Sequence, residues 1–288
     1  MTKLQKKTNG MAALNSTELG KIKTATTYNS AADHFDDAPL AFWRVIGQRT
    51  IQRLQLKVGA TVLDVGCGTG ASAIPAAEAV GTGGKVIGVD LAERLLELAR
   101  RKAARRHLDN VEFRLGDMTA LGFPDAHFDA VVSVFSIFFT ADMEATVREL
   151  WRMVKPGGKL AITTWGNNFF APIYDVWRAA IQAERTDLYS SFHPWDRIST
   201  PEQVQQLLHN AGIAPAEITP EEGRQALRTP DEWWTVVLGS GLRATVDAMD
   251  TATAERIRQC TVIWLREHNI TAIETNVIYA VAVKGNRD

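Results

Sequence analysis

The chain has only two cysteines, Cys67 and Cys260, among its 288 residues. A disulfide-held scaffold needs more cysteine than this, and the low count fits a reducing compartment. No uninterrupted apolar run reaches about 18 residues, the length that a membrane-spanning helix requires. The first ten residues are polar and contain lysine, without the apolar centre of a secretory signal. We therefore expect a cytoplasmic protein with no membrane span.

An excess of either charge is also missing, since 32 basic residues face 33 acidic ones and the net charge is −1. Such a chain has no basic field that would attract nucleic acid. The one local concentration of positive charge is the segment 100–106, with Arg100, Arg101, Lys102, Arg105 and Arg106. Cations suit the last turn of a helix, so we interpret this segment as a solvated helix face and expect no nucleic-acid partner.

The most informative segment present is residues 62–70, VLDVGCGTG. An apolar run containing Asp64 leads into Gly66, Gly68 and Gly70, a pattern that predicts a buried strand, a tight turn and a helix start. Glycine lets a ligand approach the backbone where a Cβ would collide. The turn amides and the helix start offer donors to a polar tail such as a carboxylate. Alone, the motif is equally compatible with a dinucleotide site.

Two acids follow at the ends of the next predicted strands. Residues 85–90 end on Asp90, and residues 111–115 are followed by Asp117. Acids at successive carboxyl ends lie along the sheet edge where open α/β sheets bind ligands. There Asp90 can accept hydrogen bonds from both ribose hydroxyls of an adenosine-containing ligand. Asp117 can accept a hydrogen bond from an adenine amine.

With its GxGxG spacing and the block 150–160, LWRMVKPGGKL, the chain resembles the class I methyltransferases that use S-adenosylmethionine. The resemblance runs from about residue 28 to 165, and more weakly to the C-terminus. It implies that the methionine part of the donor binds at the three glycines, the ribose at Asp90 and the adenine at Asp117. Further donor-binding candidates are Asp64, Cys67, Leu91, Met118, Ser133 and Tyr28. We interpret Cys67 as a small buried filler rather than a nucleophile.

The resemblance also implies an α/β fold with a doubly wound, seven-stranded, mostly parallel sheet and helical lid insertions. Helices are predicted over 71–80, 92–107 and 142–154, and an antiparallel final strand over 276–283. Capping boxes are predicted to start helices at Thr200 and at Thr229. We divide the chain into an N-terminal tail and helical cover (1–57), a donor-binding core (58–166) and a part that completes the sheet and carries substrate-binding insertions (167–288).

Aromatic residues are concentrated in the segments expected to cover the donor. They are Tyr28, Phe35, Phe42, Trp43, Phe169, Phe170, Tyr174, Trp177, Tyr189, Phe192, Trp195, Trp233, Trp234 and Trp264. Each can simply pack an accessory helix, but together they indicate an apolar pocket for a flat or lipophilic small molecule. Among the histidines, His193 is the best candidate for proton abstraction and His34 follows. An amine or thiol acceptor needs no enzyme base.

We therefore predict methyl transfer from S-adenosylmethionine to an O, N or C atom of a small aromatic or lipophilic metabolite, as in quinone and natural-product biosynthesis. One alternative is a catalytically silent scaffold or regulator that binds S-adenosylmethionine. Another is a nicotinamide-dependent enzyme. The acceptor's identity, the attacked atom, the pathway and the oligomeric state stay open, and no metal is expected.

Overall fold

Seven strands form one sheet in the computed structural model, which describes residues 16–286. The strand order is β3-β2-β1-β4-β5-β9-β6, and the small sheet β7-β8 stands apart. The strand bounds are β1 Thr61–Val65, β2 Lys85–Asp90, β3 Val111–Leu115, β4 Phe128–Val134, β5 Val154–Trp165, β6 Ala216–Glu221, β7 Arg224–Ala226, β8 Ala272–Glu274 and β9 Val277–Val283.

Ten α-helices are present in residues 16–286. Their bounds are α1 Ser16–Ala31, α2 Phe42–Leu54, α3 Ala73–Val80, α4 Glu93–Arg105, α5 Met143–Met153, α6 Ile173–Glu184, α7 Pro201–Asn210, α8 Glu232–Leu238, α9 Arg243–Asp247 and α10 Thr251–Glu267. No helix within this described range is long and apolar enough to cross a membrane.

The predicted fold class is confirmed. Strands β1 to β5 pair in parallel, and β9 runs antiparallel between β5 and β6. Because β2 and β4 flank β1 on opposite sides, the strand order reverses at β1. A ligand crevice opens at such a reversal, outside the carboxyl ends of the strands. The fold therefore places the glycine motif, which follows β1, at the head of this crevice.

The local expectations are met with small shifts. The three predicted core helices are α3, α4 and α5, and the final strand is β9. Thr200 caps α7 as predicted, since its side chain accepts from the Gln203 backbone N–H and the Gln203 side chain accepts in return.

The second capping box does not form. The N-cap of α8 is Asp231, without a side-chain capping bond, and the Glu232 carboxylate instead accepts from the Arg228 backbone N–H at 2.7 Å. The ion pair between Arg228 and Glu232 outcompetes the box. The three-part division of the chain stays a prediction, and residues 1–15 of the predicted tail lie outside the described residues.

Candidate functional site

The glycine turn is a set of left-handed residues directly after β1. Gly66, Gly68 and Gly70 have φ angles of +68°, +51° and +83°, a region that side chains rarely adopt. The Gly66 N–H donates to the Val89 carbonyl at 2.7 Å, which ties the turn to the end of β2. The backbone geometry explains why glycine stands at these positions.

Asp90 holds the same turn from the end of β2. One carboxylate oxygen accepts from the Gly68 N–H at 2.8 Å, and the other accepts from the Ala92 N–H at 2.9 Å at the start of α4. Burial raises the pKa of Asp90, although these backbone donors act to lower it. Each oxygen keeps a further lone pair, so the carboxylate can still accept from a ligand.

A cavity of about 820 Å³, partly open to solvent, lies against the turn and is called here the donor cavity. Seven of the predicted site residues line it: Tyr28, Gly66, Cys67, Gly68, Asp90, Leu91 and Met118. Burial raises the pKa of the Cys67 thiol, in keeping with a filler role. The lining does not include Asp64, Gly70, Asp117 or Ser133.

Asp117 is engaged by the N-terminal helix. Its carboxylate accepts from Lys21 Nζ at 2.7 Å and from the Thr119 backbone N–H at 2.8 Å. Burial acts to raise the pKa of Asp117, but these partners outweigh it and the pKa is lowered. Its neighbours Gly116 and Met118 line the donor cavity. The carboxylate therefore lies beside the cavity and already has protein partners.

Asp64 and Ser133 lie beneath the turn. Asp64 accepts from Ser72 Oγ at 2.6 Å through one oxygen, and its other oxygen has no hydrogen-bond partner among the described residues. Ser133 is fully buried and its hydroxyl bonds Ser136 Oγ at 2.7 Å. Ser136 donates in turn to the Val65 carbonyl and itself lines the donor cavity. Sequence reasoning chose Ser133 and missed Ser136, whose only signal is its position just past the end of β4.

Burial of Asp64 makes the unfolding free energy depend on pH. Desolvation raises the pKa of Asp64 to about 7, so the folded protein holds this proton more tightly than the unfolded chain. Its stabilising contribution is complete below the ordinary carboxyl pKa and is lost as pH rises through about 7. As pH rises from 5 to 8, we expect the unfolding free energy of Asp64→Asn to increase by about 2–4 kcal/mol relative to that of the parent protein. Urea denaturation at both pH values measures this.

Asp129→Asn is the matched control. The Asp129 carboxylate accepts from the Thr61 backbone N–H at 2.8 Å and from Lys155 Nζ at 2.9 Å. Burial acts to raise its pKa, but these partners lower it overall. Both pH values lie above the carboxyl pKa of Asp129 in the folded and in the unfolded state, so the control should lose about the same stability at pH 5 and at pH 8. If the unfolding free energies of Asp64→Asn and the parent protein differ by the same amount at pH 5 and at pH 8, burial does not raise the pKa of Asp64.

A second cavity of about 350 Å³, partly open to solvent, shares lining residues with the first and is called here the aromatic chamber. Tyr28, Trp43 and Phe135 line both cavities. The chamber's other lining residues are Phe138, Trp165, Phe169, Phe170, Trp195, Ser240, Gly241 and Leu242. Five of the aromatic residues expected to cover the donor are thus brought together here: Tyr28, Trp43, Phe169, Phe170 and Trp195.

Phe135 lines both cavities, although the sequence did not predict it as a site residue. The apolar run of residues 128–135 continues through Phe135, but β4 ends at Val134 and Phe135 adopts a φ of +54°. Its ring stacks on Trp165 with centroids 4.1 Å apart. A bulky residue with positive φ is strained, and such residues cluster at functional sites.

His193 lies beside the chamber without lining it. Its ring stacks on Trp195 with centroids 4.6 Å apart, and its backbone N–H donates to the Asp196 carboxylate at 2.7 Å. Burial lowers the pKa of His193, so the ring is neutral at pH 7, the form that accepts a proton. His34 Nδ1 lies 2.9 Å from an Asp37 carboxylate oxygen on the exposed side of the cover.

A glycine turn, a second-strand acid and a cavity at the reversal of an open, mostly parallel sheet define the Rossmann-like class of nucleotide-cofactor folds. Within that class, residues 62–158 match the sequence profile of the family described as "Methyltransferase domain". Residues 62–158 therefore form a methyltransferase domain, and the sheet that contains them has the Rossmann-like fold.

Curated relatives match about half of the chain. Nocamycin O-methyltransferase of Saccharothrix syringae is 35% identical over 136 residues, 47% of this chain and 49% of the relative. Demethylmenaquinone methyltransferase of Lactococcus lactis is 32% identical over 151 residues, 50% of this chain and 59% of the relative. The matches thus span about half the length of these curated relatives.

A solved structure extends the likeness of fold. The YcgJ protein from Bacillus subtilis superposes with a TM-score of 0.56 at 17% identity, covering 84% of this chain and 99% of that one. At this identity the superposition shows the fold alone.

Proposed function

We propose that the chain transfers a methyl group from S-adenosylmethionine to an O, N or C atom of a small aromatic or lipophilic molecule. The observation that carries the proposal is that the two cavities share part of their walls. Tyr28, Trp43 and Phe135 line both the donor cavity and the aromatic chamber, so these residues mark the junction of the two spaces. A donor and a flat acceptor placed in the two spaces would meet at that junction.

The donor cavity has the features that S-adenosylmethionine requires. A Cβ on Gly68 would stand 3.8 Å from the Phe35 ring, so the bare backbone is part of the wall of this space. Asp90 lines the wall as the ribose acceptor, and Leu91 and Met118 supply apolar surfaces for adenine. Asp64 does not line the cavity, but its unpartnered carboxylate oxygen lies beneath the glycine turn. That turn would hold the methionine part of the donor.

Asp117 and Ser133 keep their proposed roles only with added conditions. Asp117 already accepts hydrogen bonds from Lys21 and Thr119. An adenine amine would therefore donate to a carboxylate lone pair that these two bonds leave free. Ser133 would act through Ser136, which lines the cavity.

When bound, S-adenosylmethionine supplies a sulfonium methyl group, which an acceptor lone pair attacks in line as the carbon–sulfur bond breaks. The chain's own residues orient the acceptor and exclude water around that methyl group. Tyr28 packs edge-on against Phe139 at 5.6 Å and lines both cavities, so its ring helps to close the junction.

The relatives support a small-molecule acceptor, since they include a nocamycin O-methyltransferase and a demethylmenaquinone methyltransferase. Ion pairs within the basic segment support the absence of a nucleic-acid partner. Lys102 pairs with Asp36 and Arg106 with Glu78, so their charges are already compensated. A cytoplasmic location stays a proposal that rests on the low cysteine count.

Calorimetry with S-adenosylhomocysteine and with NAD tests the donor assignment. We expect S-adenosylhomocysteine to bind and NAD to give no heat of binding; binding of NAD alone would overturn the proposal. A mass-spectrometric screen of aromatic alcohols, amines and quinols then tests methyl transfer. Donor binding without turnover on any acceptor would favour the silent scaffold.

His193 remains the proposed general base. We expect His193→Ala to lower kcat while the dissociation constant for S-adenosylhomocysteine stays within twofold, about 0.4 kcal/mol. In the pH–rate profile of the parent protein, the rate should fall on the acidic side, below pH 6.5, where His193 becomes protonated, and the variant should lack this acidic limb. An unchanged profile would limit His193 to packing against Trp195.

A further inference from the structure

Two side chains that line the aromatic chamber each carry a polar atom without a partner. Trp43 Nε1 and Trp195 Nε1 are buried and make no hydrogen bond with any described residue, and both side chains line the chamber. An indole N–H is a donor only, so an acceptor atom alone can satisfy it. Buried donors in folded proteins are nearly always paired, because an unpaired one costs stability.

The neighbouring rings fix the two indoles in place. Trp43 stacks on Phe35 with centroids 5.5 Å apart and packs edge-on against Phe135 at 5.2 Å. Trp195 stacks on His193 at 4.6 Å and packs edge-on against Phe138 at 5.9 Å. A partner for either N–H must therefore come to the indole, because the indole cannot turn freely towards another acceptor.

Besides the tryptophan indoles, the polar side-chain groups of the described chamber lining are the hydroxyls of Tyr28 and Ser240. Among the described residues that line it, none is charged. The Ser240 hydroxyl is used within its own turn, where it donates to the Val237 carbonyl at 3.4 Å and accepts from the Leu242 N–H at 3.3 Å. A charged acceptor group would lose its hydration without compensation in such a space.

We propose that the chamber binds a planar, uncharged aromatic molecule whose oxygen atoms accept hydrogen bonds from the Trp43 and Trp195 indoles. A carbonyl oxygen is the simplest group of this kind. Aromatic walls can also hold a cation over their faces, but a cation has no lone pair for the two N–H groups. The inference rests on the proposed function, since it describes the acceptor of that same site.

Two planar probes of the same ring system, fluorene and 9-fluorenone, isolate the oxygen. Their affinities are measured by equilibrium dialysis with saturating S-adenosylhomocysteine, which leaves the chamber as the space tested. We expect the parent protein to bind fluorenone more tightly, by roughly two- to tenfold for each hydrogen bond formed. Trp43→Phe and Trp195→Phe keep an aromatic ring and should each reduce this preference, with little change in fluorene binding.

Trp233→Phe is the matched control. Its indole N–H is also buried and unpartnered, but Trp233 packs against Phe170 and Trp177 and does not line the chamber. This variant should keep the parent preference for fluorenone. Loss of the preference in all three variants would point to a general packing effect and overturn the inference.

Two further outcomes also overturn it: equal binding of fluorene and fluorenone, or tighter binding of N-methylacridinium than of either. Calorimetry with S-adenosylhomocysteine on the same samples separates this inference from the proposed function. Failure of S-adenosylhomocysteine to bind removes the proposed function itself. Normal S-adenosylhomocysteine binding without a fluorenone preference removes only the chamber assignment.

Discussion

Replacing Asp90 by alanine should weaken donor binding by about a hundredfold or more. The proposed role gives Asp90 two charge-assisted hydrogen bonds to the ribose, together worth about 3–6 kcal/mol. The same carboxylate accepts from the Gly68 and Ala92 N–H groups, so its loss also frees the glycine turn. Calorimetric titration with S-adenosylhomocysteine measures the effect.

Two further variants keep this prediction testable if the turn loosens. Asp90→Asn retains an oxygen that can accept from one of the two backbone donors, and it should fall between the parent protein and Asp90→Ala. Asp129→Ala removes a carboxylate that also accepts from a backbone N–H, at the opposite end of the strands. We expect this control to lose stability without a change in donor affinity. An unchanged dissociation constant in folded Asp90→Ala would show that the ribose role is wrong.

A methyl group added at Gly66 should destabilise the protein and abolish donor binding. Its Cβ would stand 2.2 Å from Ser136 Cβ, where no real contact occurs. Ser136 cannot retreat cheaply, because it is buried and its hydroxyl bonds both the Val65 carbonyl and Ser133 Oγ. We expect Gly66→Ala to cost about 2–4 kcal/mol, from overpacking together with the left-handed backbone.

Gly122→Ala separates the two contributions. Gly122 has a φ of +67°, against +68° for Gly66, but nothing lies within 4 Å of its Cβ position. It should lose only the backbone part, about 1–2 kcal/mol, and should bind S-adenosylhomocysteine normally. Urea denaturation and calorimetry on both variants give the comparison. Equal losses of stability would mean that Ser136 can move aside for a methyl group at Gly66.

The donor side of the site was largely predictable from the sequence. The glycine turn and Asp90 could be predicted because an apolar strand that ends in glycine or in an acid is recognisable from a few adjacent residues. Its position in the sheet does not alter this pattern. Parallel pairing then brings the carboxyl ends of such strands to one edge. Seven of the predicted residues accordingly line the donor cavity.

Other features depend on contacts between distant parts of the chain. The pairing of Asp117 with Lys21 joins β3 to α1, and no spacing rule connects residues so far apart. Strand β6 escaped prediction because Ala216–Glu221 is partly exposed and contains Pro220, as an edge strand tolerates. The left-handed Phe135 also gave no local warning, because its sequence continues an apolar strand.

The sequence by itself determined the class of fold and the place of the donor, because periodicity, glycine spacing and strand-end acids act over a few residues. Only the tertiary structure decided the acceptor side. Trp43 from α2 and Trp195 from the segment after α6 meet in one chamber, and their indole N–H groups stay unpaired. Which donors lack a partner is a property of the whole packed interior, because every neighbour that could satisfy them comes from elsewhere in the chain.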